Sequence, residues 1–418
     1  MVPLEHLFIR LAGLYLHIPF CEKKCIYCSF YSVETVDAKE RFLHMLVREI
    51  EMRADALQDN PDAPSAYQSV FFGGGTPSLL SPEEMERILT PLRRRFQILP
   101  DAEITMECNP GALTGEWLQG YRDLGVNRLS FGVQSFHDDE LRFLSRIHTA
   151  DEARRSIGLA REFFQNVSLD LIFALPHQTP ERWRSNLMEG LRLGTEHFSA
   201  YSLIFEEGTR LNAMRLAGQV QPAPDELEAD MYEETMATLA GHGFEQYEVS
   251  NYARPGRECR HNLGYWERRS YIAFGPSAHG FLQSASGPVR WANISNLTSY
   301  LNAVDSGALP VASRELLTSG LILEEILFLG LRSSGVSLPA FRAAAGRDLA
   351  SVAPADVTRL VEGGYALLTP DHLKLTRKGY PFADRFALQL IEAVERALPE
   401  LMRREPALPV LPVITPAA

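Results

Sequence analysis

Three cysteines fall within eight residues, Cys21-Glu-Lys-Lys-Cys25-Ile-Tyr-Cys28. The C-x3-C-x2-C spacing supplies three thiolates from one tight loop, one fewer than a closed four-ligand zinc or iron–sulfur site uses. Soft thiolate donors suit a [4Fe–4S] cluster. With only three protein ligands one iron stays open, and an open iron can take a group from a substrate or cofactor. Two other readings fit the same residues: free buried thiols, or three quarters of a zinc site completed by His17. Tyr27 and Phe30 flank the loop and could stack on an adenine or shield a cluster from water. Packing within the loop would use the same two residues.

Further residues with chemical potential are scattered along the chain. Gly73-Gly74-Gly75 would let a backbone edge approach a ligand without side-chain hindrance. Glu107 and Asp170 are acids set in apolar runs, a costly placement unless they are paired or bind a ligand. Either could accept hydrogen bonds from a cofactor amine or a ribose. Gln134 offers both a donor and an acceptor, and Arg146 could pair with a carboxylate. Structural ion pairs would account for the charged ones as well. His261 could ligate a metal or a haem iron, with Tyr265 and Trp266 packed on a flat macrocycle. A satisfied interior histidine beside core aromatics gives the same sequence, and on the residues alone it is the preferred reading.

The elements that must position these residues are legible in the patterning. Strands are expected at 14–18, 69–72, 103–108, 128–133, 167–173 and 198–204, with helices between them at 38–57, 82–96, 115–124, 151–164 and 180–193. Ser81-Pro82-Glu83-Glu84 and Thr179-Pro180-Glu181 carry helix-start signals. A β-α-β-α series implies parallel strands joined by helical crossovers, hence a barrel or a doubly wound sheet. In a barrel the carboxyl ends of the strands share one face, so residues far apart in sequence would converge there. The expected fold is α/β: a partial (βα)6 barrel over 14–205, a capping segment over 206–310, and a winged-helix-like α+β module over 311–398. An N-terminal segment (1–13) and a flexible Pro-rich tail (399–418) flank them.

Bulk properties narrow the function. The chain has 418 residues, 45% hydrophobic and 22% charged, which is an ordinary globular composition. A net charge of −12 opposes non-specific nucleic-acid binding, and no basic face marks the C-terminal module as a DNA reader. Five cysteines, three of them clustered, argue against a disulfide framework and for a reducing compartment. No apolar run approaches the ~20 residues of a membrane span, and the N-terminus lacks a signal-peptide pattern. A cytoplasmic location is expected.

With these motifs assembled, the chain resembles the HemN/HemW branch of the radical S-adenosylmethionine (SAM) superfamily. The match runs through LYLHIPFC (14–21), CIYCSF, FFGGGTPS (71–78), ECNP (107–110), FGVQSF (131–136), DLIFALPHQT (170–179) and CRHNLGYW (259–266). It implies a radical SAM barrel whose [4Fe–4S] cluster is held by Cys21, Cys25 and Cys28, with SAM completing the open iron. It also implies SAM-binding positions at Tyr15, Tyr27, Gly74, Glu107, Gln134, Arg146 and Asp170, with Gly73 to Gly75 gripping the methionine amine. The branch holds oxygen-independent coproporphyrinogen III oxidases and haem-binding proteins that deliver haem to apoproteins. The oxidases carry a fourth cysteine where this chain has Phe30, and a longer segment before the cluster; both differences favour the haem-binding half. The HNxxYW stretch, His261 to Trp266, resembles a hallmark of that half and makes His261 a candidate haem contact. The resemblance implies SAM, haem and haem-requiring apoproteins such as respiratory enzymes as partners, with a homodimer and peripheral membrane association as further expectations. Oxidase activity is the alternative, and a haem-degrading radical SAM methyltransferase a third reading.

Overall fold

The computed structural model describes residues 11–111 and 113–403. The first half alternates strand and helix: β1 (Leu11–Ile18), α1 (Lys39–Gln58), β2 (Ala66–Gly74), α2 (Pro82–Arg95), β3 (Ile98–Cys108), α3 (Gly115–Asp123), β4 (Arg128–Gln134), α4 (Asp138–Phe143), α5 (Ala150–Phe163), β5 (Val167–Phe173), α6 (Pro180–Leu193) and β6 (His197–Ser202). Strands β1 to β6 pair in sequence order, each parallel to the next. This is the partial (βα)6 barrel of the radical SAM fold. Local chemistry sets the helix starts: Ser81 and Thr149 close capping boxes with Glu84 and Glu152, and Thr179 caps α6 ahead of Pro180.

The strands alternate in a way that divides two environments. Leu14, Leu16, Val70, Phe72, Ile104, Met106, Leu129, Phe131, Leu169 and Leu171 are buried in the main core. The alternate residues, which point to the other face, are largely polar: Ser69, Glu103, Glu107, Arg128, Ser130, Ser168, Asp170, His197 and Ser199. Cross-strand register puts Gly13 beside Ser69, Ser69 beside Glu103, Thr105 beside Arg128, and Ser168 beside His197. The barrel interior is therefore lined in polar layers.

The barrel does not close on itself. After α7 (Arg210–Leu216) and α8 (Asp225–Gly241) come β7 (Glu245–Gln246) and β8 (Asn251–Ala253), which extend the sheet antiparallel from β6. Helix α9 (Arg260–Trp266) crosses to the opposite edge, where β9 (Tyr271–Phe274) pairs parallel to β1. Strands β10 (His279–Leu282) and β11 (Val289–Asn293), helix α10 (Leu297–Asp305) and β12 (Val311–Leu316) follow, giving a sheet of twelve strands. The 1–13 segment is outside the described residues except for 11–13, which begin β1; of 399–418, only 399–403 are described.

Helix α11 (Ser319–Leu331) leads into a three-stranded sheet of β13 (Val336–Ser337), β14 (Ala366–Leu368) and β15 (His372–Leu375), with α12 (Leu338–Ala345), α13 (Leu349–Val352) and α14 (Pro354–Glu362) between its first and second strands. Helix α15 (Ala383–Ala397) packs back along α11. This is the winged-helix-like module. Arg268 donates to Glu325 at 2.8 Å, and Val249 N–H to the Arg332 carbonyl at 2.8 Å, docking the module on the barrel's added strands. Among the described residues no helix is long and apolar enough to cross a membrane.

Candidate functional site

The polar interior opens into a cavity of about 590 Å³. Its mouth lies at the cysteine loop and its far end at α9. Tyr15, Cys21, Cys25, Tyr27, Cys28, Gly74, Gly75, Glu107, Gln134, Arg146, Asp170 and His261 all line it. Residues separated by up to 246 positions thus share one wall. Gly73 sits just behind that wall, where a Cβ would meet Phe71, Glu107 and Tyr15 at 3.0–3.2 Å.

The cysteine loop is held at both ends and its middle. Cys21 N–H donates to the Val33 carbonyl at 3.0 Å, Lys24 N–H to Glu34 at 2.7 Å, and Leu211 N–H to the Ile26 carbonyl at 2.8 Å. All three thiols are free and partly buried. Two donors aim at their sulfurs: Thr76 Oγ1 lies 3.5 Å from Cys21 Sγ and Arg146 Nη1 3.4 Å from Cys25 Sγ. Positive and hydroxyl donors on sulfur suit thiolate ligands carrying a cluster. Burial pushes the Cys21 and Cys28 thiols up, so cluster assembly would release protons. Among the described residues no group of His, Cys, Asp or Glu is drawn together tightly enough for a single metal ion. His17, the fourth ligand of the zinc reading, is occupied: Nδ1 bonds to Tyr15 OH at 3.1 Å and Nε2 to the Tyr31 carbonyl at 2.9 Å. Phe30 is 64% exposed and flanks the mouth.

The glycine turn shapes the next wall. Gly74 has φ +108°, and a Cβ there would sit 2.6 Å from the His17 ring. A Cβ on Gly75 would meet the Phe20 carbonyl oxygen at 2.6 Å. Only glycine fits either place. Gly74 N–H donates to Glu107 Oε2 at 3.2 Å. Burial, then the nearby Asp170 carboxylate, pushes Glu107 up to about 8. Burial also raises Asp170, opposed by Ser199, Arg128 and Ser130; Ser130 Oγ lies at 3.3 Å.

Gln134 and Arg146 arrive through one strained segment. Gln134 has φ +71° at a bulge ending β4, and Ser145, just before Arg146, has φ +62°. Non-glycine residues in this region cost about 1–3 kcal/mol each and persist where the surroundings over-determine them. Here the buried Glu140 carboxylate does so, accepting from Gln178 at 3.2 Å, Arg182 at 2.9 Å, Asn186 at 3.3 Å and Ser135 at 2.5 Å. Arg146 Nη2 donates to Asn109 at 2.7 Å and to the Gly132 carbonyl at 2.6 Å, while its Nε is buried without a partner. Asn109 Nδ2 in turn donates to Thr76 at 3.0 Å, joining Arg146 to Cys21 through two side chains. Asn109 and Thr76 were not among the expected site residues, although they lie inside the motifs ECNP and GGGTPS that carry them.

His261 is 3% exposed, and both its ring nitrogens are engaged: Nδ1 with Ser69 Oγ at 2.9 Å, Nε2 with Tyr265 OH at 2.8 Å. Burial, then Arg128, holds it down at about 3, so it is neutral. Its ring stacks on Phe71 at 5.0 Å. Tyr265 stands edge-on to His261 and Tyr271, and Trp266 lies 5.9 Å from the Arg332 guanidinium carbon. The HNxxYW helix thus plugs the barrel floor and leans on the C-terminal module. Iron ligation by His261 would require breaking one of its two hydrogen bonds, and the geometry favours the interior-histidine reading.

Comparison with known proteins agrees with this architecture. Residues 15–187 match the radical SAM superfamily and residues 317–382 the HemN C-terminal domain. The haem chaperone HemW of Bacillus subtilis is 37% identical, over 87% of this chain and 95% of its own length. The chain belongs to the HemN/HemW family of radical SAM proteins. A mitochondrial radical SAM domain-containing protein 1 from Bos taurus is 37% identical over 92% of this chain and 88% of its own. Within the family, the Escherichia coli coproporphyrinogen III oxidase HemN shares the fold, with a TM-score of 0.75 at 23% identity, covering 91% of this chain and 89% of that one. Radical SAM membership implies a [4Fe–4S] cluster and SAM, and the cysteine loop and cavity suit both.

Proposed function

We propose that this protein is a haem chaperone that binds a [4Fe–4S] cluster and SAM in its barrel and passes haem to apoproteins. The observation that carries the reading is the near end-to-end similarity to haem chaperones, 95% of the Bacillus subtilis relative's length at 37% identity. Phe30, exposed where the oxidases have a cysteine, supports it.

In this reading Cys21, Cys25 and Cys28 hold the cluster, and the fourth iron site takes SAM. When bound, the pair supplies one-electron cleavage chemistry. The protein's own residues bind and orient. The Gly74–Gly75 turn offers backbone to the methionine end of SAM, and Glu107 takes its amine. Arg146, fixed by Asn109, takes its carboxylate; Gln134, Asp170 and Tyr27 face the nucleoside. Tyr15 and Phe71 wall the cavity and keep water out. Haem-requiring apoproteins are the recipients, and an odd cysteine count with three clustered in one loop supports a reducing compartment.

The alternative is oxidative decarboxylation of coproporphyrinogen III. Anaerobically reconstituted protein with SAM and a strong reductant is expected to yield no protoporphyrinogen. Product over many turnovers would make the protein an oxidase and overturn the proposal.

A further inference from the structure

Arg128 opens β4 at the barrel floor, is 2% exposed, and lines the cavity at the end remote from the cysteines. Its guanidinium carries five N–H donors. Among the described residues it makes no hydrogen bond that would hold it and no ion pair within 4 Å, and its Nε is fully enclosed without a partner. A buried guanidinium left so is expensive and calls for an acceptor. Its register neighbour on β3, Thr105, has a buried hydroxyl that is also unpartnered.

The groups around it are taken. Glu103 gives both carboxylate oxygens to the start of α9: Oε1 accepts from His261 N–H at 3.2 Å and Cys259 Sγ at 3.4 Å, Oε2 from Arg260 N–H at 3.1 Å. His197 bonds Ser168 at 2.7 Å and Tyr247 at 2.7 Å, and His261 is similarly saturated. Asp170 stands higher on the wall with Ser130. What remains is the Arg128 guanidinium on the cavity wall, beyond the residues assigned to SAM.

We infer that the barrel floor is a second ligand subsite in which Arg128 receives a carboxylate of an organic ligand entering the lumen. Guanidinium–carboxylate pairing is geometrically specific, and removing one such charge-assisted contact costs about ten-fold or more in affinity. The carboxylate is a propionate of a tetrapyrrole, since the methionine carboxylate of SAM is assigned to Arg146 at the mouth. The inference rests on the proposed function only for this choice of ligands.

The test uses full-length, cluster-loaded protein titrated with two ligand pairs: iron protoporphyrin IX against its dimethyl ester, and SAM against decarboxylated SAM. Wild type, Arg128→Met and Arg128→Lys are compared. The expected result is a preference of about ten-fold for iron protoporphyrin IX over its ester that collapses in Arg128→Met and is partly kept in Arg128→Lys, while the SAM preference, set at Arg146, is unchanged. If Arg128→Met does not fold, Arg128→Lys must still reduce the preference several-fold. A haem-acid preference identical across the variants, or absent, would overturn the subsite. Wild-type protein that binds no haem at all would instead overturn the chaperone reading, whereas haem bound with no acid preference would overturn the subsite alone.

Discussion

Glu107 concentrates the electrostatics of the cavity in one carboxyl. Burial and the neighbouring Asp170 hold it up at about 8, against an ordinary 4.5. A raised carboxyl binds its proton more tightly in the folded chain than in the unfolded one. Its contribution to stability is therefore full below about 4.5 and is lost as pH rises through about 8. Binding of the cationic SAM amine needs the charged form, so the sign reverses for the ligand. Equilibrium dialysis should show SAM affinity rising several-fold from about pH 6.5 to a maximum near about pH 8, and falling above it as the ligand's own α-amine loses its proton. Glu107→Gln should weaken SAM binding at every pH and flatten this profile. A steep profile surviving the substitution would assign the titration elsewhere. The three thiolates make a simpler prediction. Cys21→Ala should abolish the iron and sulfide content of the reconstituted protein while leaving its far-UV circular dichroism intact, since the loop's backbone bonds remain.

At the scale of elements, the segment between Gln134 and Arg146 is the piece most exposed to second-hand damage. Glu140→Ala would leave the donors of Gln178, Asn186 and Arg182 without their acceptor, at about 1–3 kcal/mol each where fully buried. The chemical-denaturation midpoint should fall, and SAM affinity should drop with cluster content retained; unchanged SAM affinity would show that the segment is held by other contacts. Gly74→Ala is harsher, because the φ of +108° and the His17 ring 2.6 Å away both exclude a Cβ.

The elements also show what could be read in advance. The cysteine loop was legible because its three ligands are contiguous, and the six barrel strands because their outward faces carry Leu, Val, Ile and Phe at every second position. The polar inner faces were not. Ser69, Arg128, Ser168 and His197 look like ordinary strand residues until the register stacks them in layers. HNxxYW was visible as a motif, but its place depends on a chain crossing from β8 to β9, which leaves no local signature. Short strands such as β9 and β10 pair with the barrel's edge and have too few residues to show a period.

At the scale of the whole molecule, the cavity spans two ends with different tasks. The cysteine loop and exposed Phe30 stand at the mouth, while α9 closes the floor and passes contact through Trp266 and Arg332 to the C-terminal module. His261→Ala should accordingly lower the melting temperature, because it unpairs Ser69 and Tyr265 and leaves a void in the core. Haem affinity by absorbance titration should change less than about two-fold; a loss of ten-fold or more would restore His261 as a ligand.

The central claim is that haem leaves this protein for another. The most direct measurement loads the cluster-containing protein with haem, removes the excess, mixes it with an apo-peroxidase, and follows recovery of peroxidase activity against free haem trapped by a scavenger. Activity returning despite the scavenger, and failing with haem-free protein, is the predicted result. Haem that stays bound, or reaches the peroxidase only when the scavenger is omitted, would contradict the account.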